Sequence, residues 1–161
     1  MPFEEKYDRL YDYFMQQTAI TLALAKELGV IDKYIDLSVD VQKKTLPGFL
    51  GMAAFKMLRT IAPGRALNQI TDQFIYAMQR THDLSNIELT KISDREAEIR
   101  INNCPAVKRF REVVEKTGLD IDPGFMCEVE TRTLPEVVKD FGVDLVLDLE
   151  ENGCVFNAKL K

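Results

Sequence analysis

The stretch VDLVLDLEENGCVFNAKL, residues 143–160, decides the fold. Val143, Leu145, Leu147 and Leu149 alternate with Asp144, Val146, Asp148 and Glu150, the period of two that marks a strand with one buried face. Asn152-Gly153 then supplies the strongest two-residue hairpin signal. A turn at that dipeptide predicts Glu151 opposite Cys154, Leu149 opposite Phe156, Leu147 opposite Ala158 and Leu145 opposite Leu160, all on one face of the sheet. Cys154 then points inward at the rim with the Glu151 carboxylate beside it.

Working back toward the N-terminus, the same period recurs from Asn86. Ile87, Leu89, Ile99 and Ile101 alternate with mostly polar residues, and a three-residue loop at Asp94-Arg95-Glu96 pairs Lys91 with Ile99 and Leu89 with Ile101. A four-residue loop would set Leu89 opposite Arg100 and mix the faces, so the shorter loop is preferred. Between the two hairpins, Pro105 opens a helix carrying Val107, Phe110, Val113 and Val114 up to the stop at Gly118. A further helix begins near Pro123, carries Phe125, Met126 and Val129, and is broken or kinked near Pro135.

Before Asn86 the period is that of helices. Apolar residues from Tyr7 to Ala23 recur at three and four, predicting a helix over Phe3 to Leu28 stopped by Gly29. Further helices are expected over about Ile31–Lys44, ending before Pro47-Gly48, over Phe49–Ile61, closed by Pro63-Gly64, and over Arg65–Thr81. Met52, Met57 and Met78 either line a pocket or fill core. Tyr7, Tyr11, Tyr13 and Phe14 exceed what one face of one helix buries, so a homodimer through the first helix is expected. The reading is an α+β chain of one domain, 1–161. Its N-terminal helical half (1–85) packs on a four-stranded antiparallel sheet made of two hairpins with helices between them (86–161).

Composition limits the function. The chain has 161 residues, with 21 basic against 26 acidic and a net charge of −5. With no basic block, nucleic-acid binding, which neutralises phosphates with Lys and Arg, is not expected. No apolar run reaches the ~20 residues of a bilayer span, and the acidic start Met1-Pro2-Phe3-Glu4-Glu5 lacks the pattern of a signal peptide, so a cytoplasmic chain without a membrane partner is expected. Three cysteines in a reducing compartment read as free thiols, ligands or catalytic groups rather than a disulfide framework.

Those cysteines, Cys104, Cys127 and Cys154, form the informative constellation. Cys104 ends a strand and opens a helix, where backbone N–H groups and the helix dipole favour a thiolate. Cys127 shares a helix face with Glu130. The readings left open are small buried hydrophobes, three thiolates with Glu130 or Glu151 around a zinc ion, and a Cys104 nucleophile with His82, the single histidine, as base. No cofactor is assigned, with zinc on the thiolates the one candidate. All three sulfurs are expected to approach one end of the core, with a carboxylate nearby.

Ile99-Arg100-Ile101-Asn102-Asn103-Cys104-Pro105, then Gly118-Leu119, Met126-Cys127-Glu128-Val129-Glu130 and Asn152-Gly153-Cys154-Val155-Phe156 resemble the 2-aminothiazoline-4-carboxylate hydrolase family. The shared features are a strand ending in Cys-Pro, a helix ending in Gly-Leu, a cysteine followed by an acidic residue, and a hairpin leading into Cys-x-Phe. The chain departs from that family in having Asn-Gly rather than Gly-Asp before the last cysteine, and Glu130 rather than Asp. The resemblance covers about Ile87 to Lys161 and implies a hydrolase that adds water across a small cyclic C=N bond and opens the ring. Cys104, Cys127, Glu130 and Cys154 would be its catalytic set. Arg100 or Arg132 would hold a substrate carboxylate in a guanidinium fork, and Glu151 would complete the pocket rim. The plan is also similar to 4-vinyl-reductase-type domains, which implies an alternative: a binding or sensory module for an apolar or aromatic small molecule.

Overall fold

The computed structural model describes residues 3–45, 49–82 and 87–161. The break at Pro47-Gly48, the onset at Asn86 and the side chain of His82 lie outside what is described. Six helices and four strands follow one another as α1 (Phe3–Glu27), α2 (Ile31–Thr45), α3 (Phe49–Ile61), α4 (Pro63–His82), β1 (Ile87–Lys91), β2 (Glu96–Ile101), α5 (Pro105–Thr117), α6 (Phe125–Lys139), β3 (Val143–Glu150) and β4 (Gly153–Leu160). The chain is thus α+β, with a helical N-terminal half and a four-stranded antiparallel sheet in the order β1-β2-β4-β3.

Local chemistry accounts for the helix ends. Pro105 occupies the first turn of α5, where its missing N–H costs nothing, and Gly118 closes the helix in the left-handed region at φ 66° with its N–H on the Val114 carbonyl. Pro63 begins α4 rather than merely ending α3, for the same reason as Pro105. Pro135 sits inside α6, which runs continuously from Phe125 to Lys139 instead of breaking. One lost backbone bond is outweighed where a helix buries a face, and Val129, Thr133 and Val137 are all buried.

Both hairpins form, each with its partners shifted by two residues from the predicted register. In the first, the loop has three residues as expected but comprises Ser93-Asp94-Arg95, closed by Ile92 N–H donating to the Glu96 carbonyl at 2.9 Å. Leu89 therefore faces Ile99 and Lys91 faces Ala97. In the second, the turn is Glu151-Asn152, and Gly153 is the first residue of β4. Leu149 faces Cys154, Leu147 faces Phe156 and Leu145 faces Ala158. A shift of two residues keeps every side chain on its face, so the hydrophobic pattern fits either pairing, and in the one that forms Gly153 lies against β2, where a Cβ would fall 2.0 Å from the Ile101 carbonyl oxygen. The glycine is required for close approach to a neighbouring strand, not for the turn.

The core is built on one face of this sheet. Ile99 and Ile101 from β2 and Phe156 from β4 pack with Phe110, Val113 and Val114 of α5 and with Met15, Ala19 and Leu22 of α1. A second cluster joins Phe55 of α3 and Leu67 of α4 to Val143, Ala158 and Leu160. Phe74 meets Phe156 edge to face, with ring centroids 4.7 Å apart. Many positions on the other face carry charge, among them Glu88, Glu98, Arg100, Asp144, Asp148 and Lys159, as in a sheet with one solvated face.

Candidate functional site

A cavity of about 130 Å³ lies where α4, α5 and α6 meet the sheet. Cys104 contributes from the β2–α5 junction, Cys127 and Glu130 from α6, and Cys154 from β4, so the four residues expected to converge do line one site. The helix supplies its side by spacing: Met126, Cys127, Glu130 and Leu134 recur at one, three and four residues and share a face. Ala106, Val107, Met78, Leu147 and Phe156 make most of the remainder apolar. Leu149 lines the cavity while remaining 42% exposed, which sets it at the mouth.

Cys104 is fixed by its backbone. Its N–H donates to the Asn152 carbonyl at 2.8 Å, tying the start of α5 to the β3–β4 turn, and its own carbonyl accepts from Lys108 N–H. Asn103 before it takes a positive φ of 49°, which turns the chain sharply from strand into helix. The thiol makes no capping bond at the N-terminus of α5.

Burial governs the ionisation of the site. It pushes the Cys127 thiol up to about 11, with the neighbouring Cys104, Glu130 and Glu128 adding to the effect. It pushes Cys154 up to about 12, again with support from Cys104, Cys127 and Glu150. The Glu130 carboxyl is also raised, through desolvation. Burial disfavours the charged form of each of these groups, and among the described residues no cation lines the cavity to offset it. Neutral thiols are weak nucleophiles and weak metal ligands. Among the described residues, no three Cys, His, Asp or Glu side chains converge as the ligands of a metal ion do.

The three residues expected to bind substrate stand elsewhere. Glu151 is exposed in the turn, and Leu149 takes the place opposite Cys154 that the predicted register gave it. Arg100 projects from β2 between Glu98 and Glu150, forming ion pairs with both. Arg132 pairs with Asp32 of α2 at the surface. Apart from Glu98, the acids that claim these arginines, Glu150 and Asp32, come from remote stretches of chain, so no local pattern announced them. Of the methionines, Met78 lines the cavity whereas Met57 is exposed. Sequence reasoning missed Leu134, Leu147 and Val107 as lining residues, although Leu147 and Val107 belonged to apolar stripes already recognised.

A wider surface groove of about 230 Å³ runs between α1 and α5 past Tyr7, Tyr11 and Lys108. Its Arg109 is engaged by Asp12 at 2.6 Å and by Glu112 at 3.6 Å. Among the described residues no helix is long and apolar enough to cross a membrane.

No protein-family model matches the chain, and no curated protein matches it. Among solved structures it is similar to a trafficking protein particle complex subunit 3 from Naegleria fowleri, described as covalently bound to palmitic acid. The TM-score is 0.43 at 11% identity, covering 92% of this chain and 96% of that one. Likeness at that level carries no argument about function.

Proposed function

We propose that the chain is a binding module for a small apolar or aromatic molecule, held in the cavity between α4, α5, α6 and the sheet. The observation that carries this reading is the lining, which among the described residues consists of hydrocarbon, methionine and thiol groups with Glu130 as the one carboxyl, and no Lys or Arg. Pockets of this kind take apolar ligands and use a few polar groups for orientation. The volume of about 130 Å³ is close to that of the engineered lysozyme cavity of about 150 Å³ that binds benzene. Glu130, whose pKa is raised by burial, would make one hydrogen bond to a polar atom of the ligand.

Native mass spectrometry of the purified protein, followed by thermal unfolding with benzene, indole and octanol, tests the reading. A copurifying apolar molecule, or stabilisation by about 2.7 kcal/mol at a hundredfold excess over Kd, is the expected result. Ala106→Leu, which adds bulk within the cavity, should abolish the shift. An empty protein indifferent to all three probes would overturn the proposal.

One observation favours a second reading, that of a ring-opening hydrolase for a cyclic amidine such as 2-aminothiazoline-4-carboxylate. Cys104 stands at the N-terminus of α5 with Glu130 on the same cavity. Under that reading Cys104 attacks or orients the C=N carbon while Glu130 moves a proton to the ring nitrogen. Ring opening by the wild type and its loss in Cys104→Ala would support it, whereas no turnover leaves the binding module.

A further inference from the structure

Helix α1 carries two apolar faces, and only one is covered. Met15, Ala19 and Leu22 are at most 1% exposed against α5 and the core. On the other side, Leu10, Tyr13, Phe14, Ile20, Leu24 and Leu28 are between 42% and 70% exposed. At 3.6 residues per turn these six fall within about 120° of arc. No charge interrupts that arc from Leu10 to Leu28; its other members are Gln17 and Thr21, and the Thr21 hydroxyl already donates to the Gln17 carbonyl at 2.8 Å. The six side chains expose on the order of 700 Å² together, more than the roughly 300–600 Å² of the largest apolar patch on a typical monomer. That area is near the ~800 Å² per partner of a standard interface.

We propose that this face is the seam of a homodimer in which two α1 helices pack antiparallel about a twofold axis at Gln17. The pattern is close to self-complementary about that residue, which is what an isologous contact demands. Leu10 and Leu24 stand seven residues to either side, and Tyr13 and Phe14 are balanced by Ile20 and Thr21 at three and four. Antiparallel pairing sets Leu10 of one copy on Leu24 of the other and brings Lys6 toward Glu27 at each end, so the charges that bound the stripe are complementary. Gln17 meets its own copy at the axis. A carboxamide carries both donor and acceptor and can pair with itself, whereas a charged side chain there would repel its mate. Of the four aromatics in this helix, Tyr7 and Tyr11 stack on each other at 6.1 Å and are half-buried, leaving Tyr13 and Phe14 to the seam.

Sedimentation equilibrium over a range of concentrations, combined with cysteine cross-linking, tests the proposal. The wild type should be a dimer, and Leu24→Glu should weaken it at least about tenfold while leaving the circular dichroism unchanged. Under mild oxidation Gln17→Cys should give a covalent dimer. Leu10→Cys should not, because its two copies would lie about 21 Å apart in the antiparallel arrangement. Should Leu24→Glu fail to fold, the cross-linking pair decides alone. A monomer at every concentration assigns the face to a different partner and overturns the proposal, and cross-linking by Leu10→Cys overturns the antiparallel geometry.

Discussion

Gly153 stands so close to the carbonyl of Ile101 that a Cβ on it would lie 2.0 Å from the oxygen. This contact brings the start of β4 close against β2, beside the turn at Glu151-Asn152. It also positions Cys154 opposite Ile101, on the cavity.

Gly153→Ala should therefore be among the most damaging single-methyl changes in the chain. The clash is with backbone, which cannot rotate away, so a loss of about 2–4 kcal/mol is expected, in the range of overpacking and backbone-shift mutations. Urea denaturation measures it; a loss below about 0.5 kcal/mol would show that the strands separate freely there.

Glu130 makes stability depend on pH with a definite sign. Burial raises its pKa in the folded protein above the ordinary 4.5, so the folded state holds this proton more tightly than the unfolded chain. The associated stabilisation is whole below pH 4.5 and is lost as pH rises through the folded-state pKa. Glu130→Gln cannot lose it. Unfolding free energies of the two proteins measured from pH 4 to pH 8 should diverge upward in favour of the variant, and parallel curves would contradict the assignment.

Cys127 and Cys154 should resist alkylation at neutral pH. Their thiols are pushed up to about 11 and about 12, so the reactive thiolates are scarce until strongly alkaline conditions. Peptide mapping after iodoacetamide treatment should show both labelling slowly at pH 7.5 and accelerating above pH 10. Fold stability should decline over the same interval, since a raised thiol pKa stabilises only below about 9, its ordinary value, and is exhausted once the folded-state value is passed. Rapid labelling of either at pH 7.5 would place it outside the buried cavity.

Removing the ring of Phe110 should cost about 3–5 kcal/mol, because this side chain is fully buried between α5 and the sheet and its loss leaves a cavity. Thermal unfolding of Phe110→Ala provides the measurement, with retained stability implying collapse of α5 onto the strands.

Arg100→Ala and Arg132→Ala should each leave stability close to that of the wild type, as solvent-screened ion pairs do, and should leave binding of apolar probes unchanged. Titration calorimetry with indole distinguishes this from the role in holding a substrate carboxylate that sequence similarity implied. Lost affinity in either variant would return that arginine to the site.

The sequence by itself determined the elements and, α1 apart, most of their inward faces. Helical and strand periods, together with Pro105 and Gly118, placed the elements along the chain, because these depend on neighbours a few positions away. It also brought Cys104, Cys127, Glu130 and Cys154 toward one place, since each stood on an apolar face of an element bounding the same core. Register was beyond its reach: sliding a hairpin pairing by two residues keeps every side chain on its face, so the hydrophobic pattern of β3 and β4 fits both pairings equally. The tertiary structure decides between them: Gly153 packs against Ile101, Asn152 accepts from Cys104, and Leu149, not Glu151, sits opposite Cys154. The partners of Arg100 and Arg132 were hidden for a related reason, because Glu150 and Asp32 meet them through pairings distant in the chain. Tertiary packing likewise decided which apolar face of α1 is buried, since α5 covers Met15, Ala19 and Leu22 and leaves Leu10, Phe14 and Leu24 in solvent.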